Sequence, residues 1–209
     1  MLPLLCSAYL PPVSFFQAVS GATEVCIERY DNYHKQTFRN RCVIATADGT
    51  QSLSVPVVKS DYPKQLMRDV RISDHGNWRH LHWNAIASAY MNSPFFMYYE
   101  DDFRPIYDRH HTFLVDFNQE LMEKIVELAG LDITLSMSDE YRHSADDDSV
   151  YDLRRLVDPS AETGMTFAPY YQVFRQKNGF QKNLSIVDML FNLGPETAIF
   201  LSPNRVARV

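Results

Sequence analysis

The chain lacks the signatures on which several large enzyme classes are built. It has no G-x-S-x-G elbow, no P-loop and no G-x-G-x-x-G turn, which removes the usual support for a hydrolase, a P-loop kinase or a dinucleotide-binding protein. Its three cysteines, Cys6, Cys26 and Cys42, form no C-x-x-C pair. An odd number of thiols without a secretory leader argues for reduced cysteines and a cytoplasmic protein. The opening MLPLLCSAYLPPV is briefly apolar, but it lacks a basic lead and two prolines interrupt it. No run approaches the roughly 20 apolar residues that span a bilayer. Stable membrane insertion is therefore not expected, although contact with a membrane-linked substrate stays open. Internal repeats, coiled-coil heptads and low-complexity tracts are absent too.

Hydrophobic residues make up 45% of the 209, enough for a core that needs no staple, and the length suits one domain over residues 1–209. The formal net charge of −6 and the absence of an extended basic face exclude nucleic acid as an expected partner. Tyr and Phe are plentiful, at 12 and 13, which fits either ring-lined pockets for sugars or nucleotides or an aromatic core.

Against that acidic background one segment concentrates positive charge. The twelve residues from Tyr30 to Arg41 hold His34, Lys35, Arg39 and Arg41, together with Tyr33, Gln36 and Asn40. A local cationic cluster on an acidic protein suits one small anion, such as a carboxylate, a phosphate or the diphosphate of a nucleotide sugar. Guanidinium groups grip such anions in a bidentate way that lysine does not match. The alternative is a solvated loop with surface ion pairs, which are worth little.

Hydrophobic patterning predicts an α/β fold. The expectation is a single three-layer domain with a mixed, mainly parallel sheet and a β-hairpin insertion. Leu2 to Ala8, Val13 to Ser20 and Thr23 to Glu28 read as strand, helix and strand, the local signature of a parallel unit. Asp48-Gly49 between Cys42–Thr46 and Gln51–Val58 signals a hairpin. A short strand is expected at Asp69 to Ile72. Helices are expected over Trp78 to Tyr90, from Ser93-Pro94 onward, over Leu114 to Ala129 and over Leu184 to Leu193, with a strand at Ile133 to Ser136. Tyr151 to Leu156 reads as a short helix, Pro169 to Phe174 as a strand or extended segment, and Ala198 to Leu201 as a last strand or helix end. Ser138 to Val150 reads as a polar loop. Its run Asp146-Asp147-Asp148 has no further ligands at fixed spacing, so a solvated flap is expected there rather than a metal site. Neither metal nor cofactor is expected anywhere in the chain. In a parallel sheet the ligand lies beyond the carboxyl ends of the strands, and the basic segment leaves the second strand at such an end.

Two further constellations stand out. In Trp78-Arg79-His80-Leu81-His82-Trp83, helical spacing puts Trp78 and His82 on one face and Arg79 and Trp83 on another. His82 is a candidate base alongside His34, or a structural histidine bonded to the backbone, and Trp78, Trp83 and Tyr33 are candidate stacking rings. Near the end, Gln172 and Asp188 sit in apolar surroundings. Gln172 requires a partner or a ligand for its amide. Asp188 requires a cation or donors, with Arg154 and Arg41 as candidate partners.

These residues resemble the WbqC-like family of bacteria. The matching pieces are Tyr9-Leu10-Pro11-Pro12, the Ile27-Glu28 strand end, Tyr33-His34-Lys35-Gln36-Thr37 and Arg39-Asn40-Arg41-Cys42. Then come Val55-Pro56-Val57, the Trp78 to Trp83 segment and Ala89-Tyr90 with Ser93-Pro94-Phe95. Tyr171-Gln172-Val173-Phe174, Gly179-Phe180, Asn183 to Asp188 and Leu190-Phe191-Asn192 complete the match. The resemblance implies a part in building O-antigen or other surface polysaccharide, with transfer of an amino acid such as glycine to a sugar as the suggested reaction. On that expectation Lys35, Arg39 and Arg41 hold the anion of a nucleotide-sugar or lipid-linked substrate. His34 or His82 is the base, and Gln36, Asn40 and Gln172 orient the sugar. A non-catalytic binding or scaffold protein of the same pathway would use the same residues. The oligomeric state is not legible in the chain.

Overall fold

The computed structural model describes residues 1–60, 64–143 and 149–202. The apolar runs β1 (Leu2–Cys6) and β2 (Glu24–Glu28) flank a short helix, α1 (Val13–Gln17), which follows an extended Pro12. A hairpin comes next, with β3 (Arg41–Thr46) antiparallel to β4 (Gly49–Ser54), and Gly49 takes a φ of 119° at the turn. Three long helices follow: α2 (Trp78–Tyr90), α3 (Phe96–Asp108) and α4 (Leu114–Leu128). Then come β5 (Thr134–Met137) and β6 (Val150–Asp152), a 3-10 turn at Arg154–Val157, and the helices α5 (Arg175–Asn178), α6 (Ile186–Leu193) and α7 (Thr197–Leu201).

The sheet runs β5-β2-β1-β6 and every pairing in it is parallel, with Leu5 opposite Ile27 and Pro3 opposite Tyr151. The hairpin forms its own two-stranded sheet. The molecule is thus an α/β protein with helices against a parallel sheet and an antiparallel annex. Leu5, Val25 and Ile27 point to one sheet face, where they meet Phe15 and Phe16 of α1 and Met122 and Val126 of α4. The other face carries a smaller cluster of Leu4, Cys26 and Val150.

Helix α6 is buried along its whole length, which explains its near-continuous apolar sequence IVDMLFNL. Its Phe191 ring lies 5.4 Å from Tyr90, 5.2 Å from Phe96 and 5.4 Å from Phe103, so α2 and α3 close around it. Each such ring, fully buried, contributes about 1.5–3 kcal/mol of hydrophobic stabilisation.

Two local expectations are corrected. Tyr151 to Leu156 is not a helix: Val150–Asp152 adds to the edge of β1, and one 3-10 turn comes after it. Three residues are too few to carry a period, so the pairing with Leu2, Pro3 and Leu4 decides the conformation. Asp69 to Ile72 forms only single bridges, Val57 to Ile72 and Arg71 to Phe113. Pro169 to Phe174, expected as a strand or extended segment, pairs with no strand and is held by the Tyr170 and Gln172 side chains, which bond Asp188 and, from Gln172, the Gln181 backbone. Asp146, Asp147 and Asp148 lie outside the described residues.

Gly194 ends α6 at a φ of 55°, and a Cβ there would lie 2.5 Å from a carbon of the Phe95 ring. Gly130 has a similar φ of 64° but open space around it. Gly194→Ala should therefore cost roughly 2–4 kcal/mol and Gly130→Ala about 1 kcal/mol. Urea unfolding of the two variants checks this, and equal losses would contradict the packing described.

Candidate functional site

β1 is the hinge of the site. The chain leaves it for β2 on one side, while β6 lies on the other, so the loops after the strands diverge. Crevices at such points take ligands in open parallel sheets. A cleft of about 650 Å³ opens there, walled by parts of residues 31–39 after β2 and 152–161 after β6, with Tyr141 from the segment after β5.

Cys6, the last residue of β1, is buried beneath the cleft against the lining residues Asp31, Arg39 and Arg154. Its single S–H has two acceptors in reach, Asp31 Oδ2 at 3.3 Å and the Arg154 carbonyl at 3.7 Å, and Arg39 Nη2 donates to its sulfur at 3.3 Å. Both walls therefore close on one sulfur. Burial pushes the thiol pKa up, Arg39 only partly opposes this, and the sulfur stays protonated. Arg39 is ion-paired with Asp31, and its side chain is 5% exposed. Its Nε is buried without a partner. The Phe38 N–H donates to the Val157 carbonyl at 2.8 Å, tying one wall to the other. From α4, Asn118 Nδ2 donates to Ser7 Oγ at 3.0 Å and to the Arg39 carbonyl at 2.9 Å.

Glu28, at the end of β2, organises the segments around this sulfur. It is fully buried. It accepts from the Tyr30 N–H at 2.8 Å, Ser138 Oγ at 2.7 Å and the Arg142 N–H at 2.9 Å, and Arg154 Nη1 lies 4.0 Å away. One carboxylate thus gathers the exits of β2, β5 and β6. Arg154 forks onto Asp152, with Nη2 at 2.7 Å and Nε at 3.0 Å, while its Nη1 has no hydrogen-bond acceptor. Asp158 is held below the usual carboxylate range by the Ser160 N–H and hydroxyl.

His34, Lys35 and Gln36 stand exposed on the first wall, with Gln36 in the left-handed region at a φ of 62°. A non-glycine residue held there stores of order 1 kcal/mol of strain. Arg155 stands exposed on the second wall. Among the described residues, neither Lys35 nor Arg155 forms an ion pair, whereas Arg39 and Arg154 do. Four permanent cations face three carboxylates, Asp31, Asp152 and Asp158. The lining carries one positive charge in excess, above the buried Glu28, on a protein of net charge −6.

Of the residues singled out in the sequence, the structure brings His34, Lys35, Gln36 and Arg39 together. It places the others elsewhere. Asn40 Nδ2 donates to the Val55 carbonyl at 2.9 Å, and Arg41, on the hairpin, donates from Nε to Ser54 Oγ at 3.3 Å. Tyr33 is half-buried against the core. Trp78 and His82 meet at 5.1 Å inside the core, and His82 Nδ1 lies 2.9 Å from the Tyr9 hydroxyl. Burial pushes the His82 pKa down to about 4, leaving it neutral near pH 7. Trp83 borders a separate cleft between α2 and α3, about 490 Å³ in volume. Gln172 and Asp188 join each other: Asp188 Oδ2 accepts from Gln172 Nε2 at 2.8 Å and from the Tyr170 hydroxyl at 2.6 Å. Neutral donors, not Arg154 or Arg41, hold this carboxylate. Asp31, Arg154, Arg155, Tyr141 and Glu28 are the members that sequence reading missed as a site. The Ile27-Glu28 strand end, an acid at the close of an apolar strand, was the one available signal.

The sequence pattern of the WbqC-like protein family matches residues 7–167. The chain belongs to that family. The match takes in every residue lining the cleft and stops short of the Gln172–Asp188 pair. A relative from Mycobacterium tuberculosis, the uncharacterized protein Rv1507c, is 28% identical over 221 aligned positions covering 93% of this chain and 94% of its own. No solved structure matches this WbqC-like chain. Among the described residues, no helix is long and apolar enough to cross a membrane.

Burial raises the Asp188 pKa to about 6, against the pull of its Tyr170, Gln172 and Tyr90 hydroxyl and amide donors. A carboxyl whose folded pKa lies above its unfolded value stabilises the fold fully at low pH, and loses that contribution as pH rises through the folded value. Relative to Asp188→Asn, the wild type should lose on the order of 1–3 kcal/mol between pH 4 and pH 7. Urea unfolding across that range measures it, and a pH-independent difference between the two proteins would contradict the assignment.

Proposed function

We propose that this WbqC-like protein is a transferase of surface-polysaccharide (O-antigen) synthesis, acting on an anionic sugar precursor such as a nucleotide sugar in the cleft beyond β1. The observation that carries this reading is the pair of uncommitted cations, Lys35 and Arg155, on the two walls of one crevice. Arg39 and Arg154 shape the floor while partly neutralised by Asp31 and Asp152. His34, exposed on the wall, is the group placed to take the proton from an attacking amine or hydroxyl. Gln36 supplies an amide for the sugar. Cys6 is unsuited to covalent catalysis, because its thiol is buried and protonated. In the proposed reaction the sugar amine or hydroxyl attacks the carbonyl of an activated aminoacyl donor, an ester or thioester of an amino acid such as glycine. The new amide or ester bond forms as the donor C–O or C–S bond breaks, and the alcohol or thiol leaves with the proton that His34 passes to it. The same lack of an activated nucleophile favours, as a second reading, a protein that binds the precursor without turning it over.

Lys35→Gln combined with Arg155→Gln should weaken binding of a nucleotide sugar by roughly tenfold or more, since hydrogen bonds to charged groups are worth about 1.5–3 kcal/mol each. The melting temperature should stay at the wild-type value, because both side chains are exposed. Titration calorimetry decides the first point, and unchanged affinity would reject the anion site. His34→Asn should leave binding intact and abolish product formation. A wild type that binds precursor but forms no product under any donor supports the binding reading instead.

A further inference from the structure

The proposed cleft leaves open which carrier bears the sugar, a nucleoside or a lipid, and the lining of its walls bears on that choice. Among the residues forming it, only Tyr141, Val157 and Ala161 are apolar, and the Val157 side chain is itself buried. An isoprenoid chain held by the protein itself needs a continuous apolar trough, because each buried methylene is worth about 0.8 kcal/mol. The remaining lining residues are charged or hydrogen-bonding, and none offers that surface.

A different arrangement is present. Arg39 Nε, on one wall, is a buried donor without an acceptor; on the other, the buried Arg154 Nη1 makes no hydrogen bond, its ion-pair partner Glu28 Oε2 standing 4.0 Å away. Buried donors left unpaired are costly, and they call for an acceptor that completes them. The two segments carrying them meet at the Cys6 sulfur, 3.3 Å from Arg39 Nη2 and 3.7 Å from the Arg154 carbonyl. Lys35 and Arg155 add the two uncommitted charges on these walls. Bordering the same cleft is Tyr141, still 40% exposed. The Arg154 guanidinium lies over its ring at 5.0 Å, and His143 meets it edge-to-face at 4.8 Å. An exposed ring fixed by a cation, bordering a cationic crevice, is the composition that stacks nucleobases. A volume near 650 Å³ falls within the range of small-molecule sites.

We infer that the cleft takes a nucleoside diphosphate carrier, with the diphosphate between Lys35–Arg39 and Arg154–Arg155 and the base against Tyr141, and that it does not take a lipid diphosphate. This inference rests on the anion-binding reading above and narrows it.

The test uses the full chain in calorimetry with four probes: inorganic pyrophosphate, uridine diphosphate, adenosine diphosphate and farnesyl diphosphate. A nucleoside diphosphate should bind about tenfold more tightly than pyrophosphate, the gain expected from one stacked base. Tyr141→Ala should erase that gain and leave pyrophosphate binding unchanged, while Tyr141→Phe should keep it. The inference is overturned if nucleoside diphosphates and pyrophosphate bind equally, if farnesyl diphosphate binds more tightly than either nucleotide, or if Tyr141→Ala retains the full preference. Pyrophosphate binding without a base preference overturns this inference alone. Failure of every diphosphate to bind overturns the anion site as well.

Discussion

Parallel pairing of β1 with β2 on one side and β6 on the other is the constraint from which the site derives. It sets the exits of β2 and β6 on either side of the end of β1, and the crevice lies between the segments that follow them. The residues after Glu28 and after Asp152 in the chain then decide the lining of the crevice. Both segments are rich in charge, and opposite charges within each settle most of it. Asp31 holds Arg39, and Asp152 holds Arg154. Lys35 and Arg155 lie outside these pairs, and with Asp158 the one remaining carboxylate of the lining, one positive charge is left over.

Buried carboxylates serve two different ends in this protein. Glu28 is satisfied by backbone and hydroxyl donors from separate segments, so it fixes the relative position of three strand exits. Removing it would leave those donors unpaired beneath the cleft, and such losses cost more than the bonds contribute while intact. Asp188 is satisfied by the neutral donors of Tyr170, Gln172 and Tyr90, and its pKa rises because desolvation outweighs those bonds. It clasps the 170–172 segment to α6, far along the chain from the cleft walls. A polar residue in an apolar pattern thus marks a structural clasp here as readily as a ligand contact.

Strong local periodicity made much of the fold legible. α2 spans Trp78–Tyr90 as the pattern indicates, and α4 buries Leu114, Phe117, Leu121 and Ile125 on the stripe their spacing defines. β6 was illegible because its three residues become a strand only through β1. The first wall could be read from its density of cations, whereas Arg154, Arg155 and Tyr141 lie far from it in sequence and join it only through the sheet. Asn40 and Arg41 belonged to the same dense segment, but β3 begins there and carries them onto the hairpin. His82 shares a helix face with Trp78, and that face turns inward, so the two rings pack in the core.

The most direct test is a crystal structure of the protein soaked with a nucleoside diphosphate. Phosphate density between the 35–39 and 154–155 segments, within hydrogen-bond reach of Lys35 and Arg155, is the result expected. Phosphate density beside Arg41 on the hairpin, or in the α2–α3 cleft with the β1 crevice empty, would contradict the account.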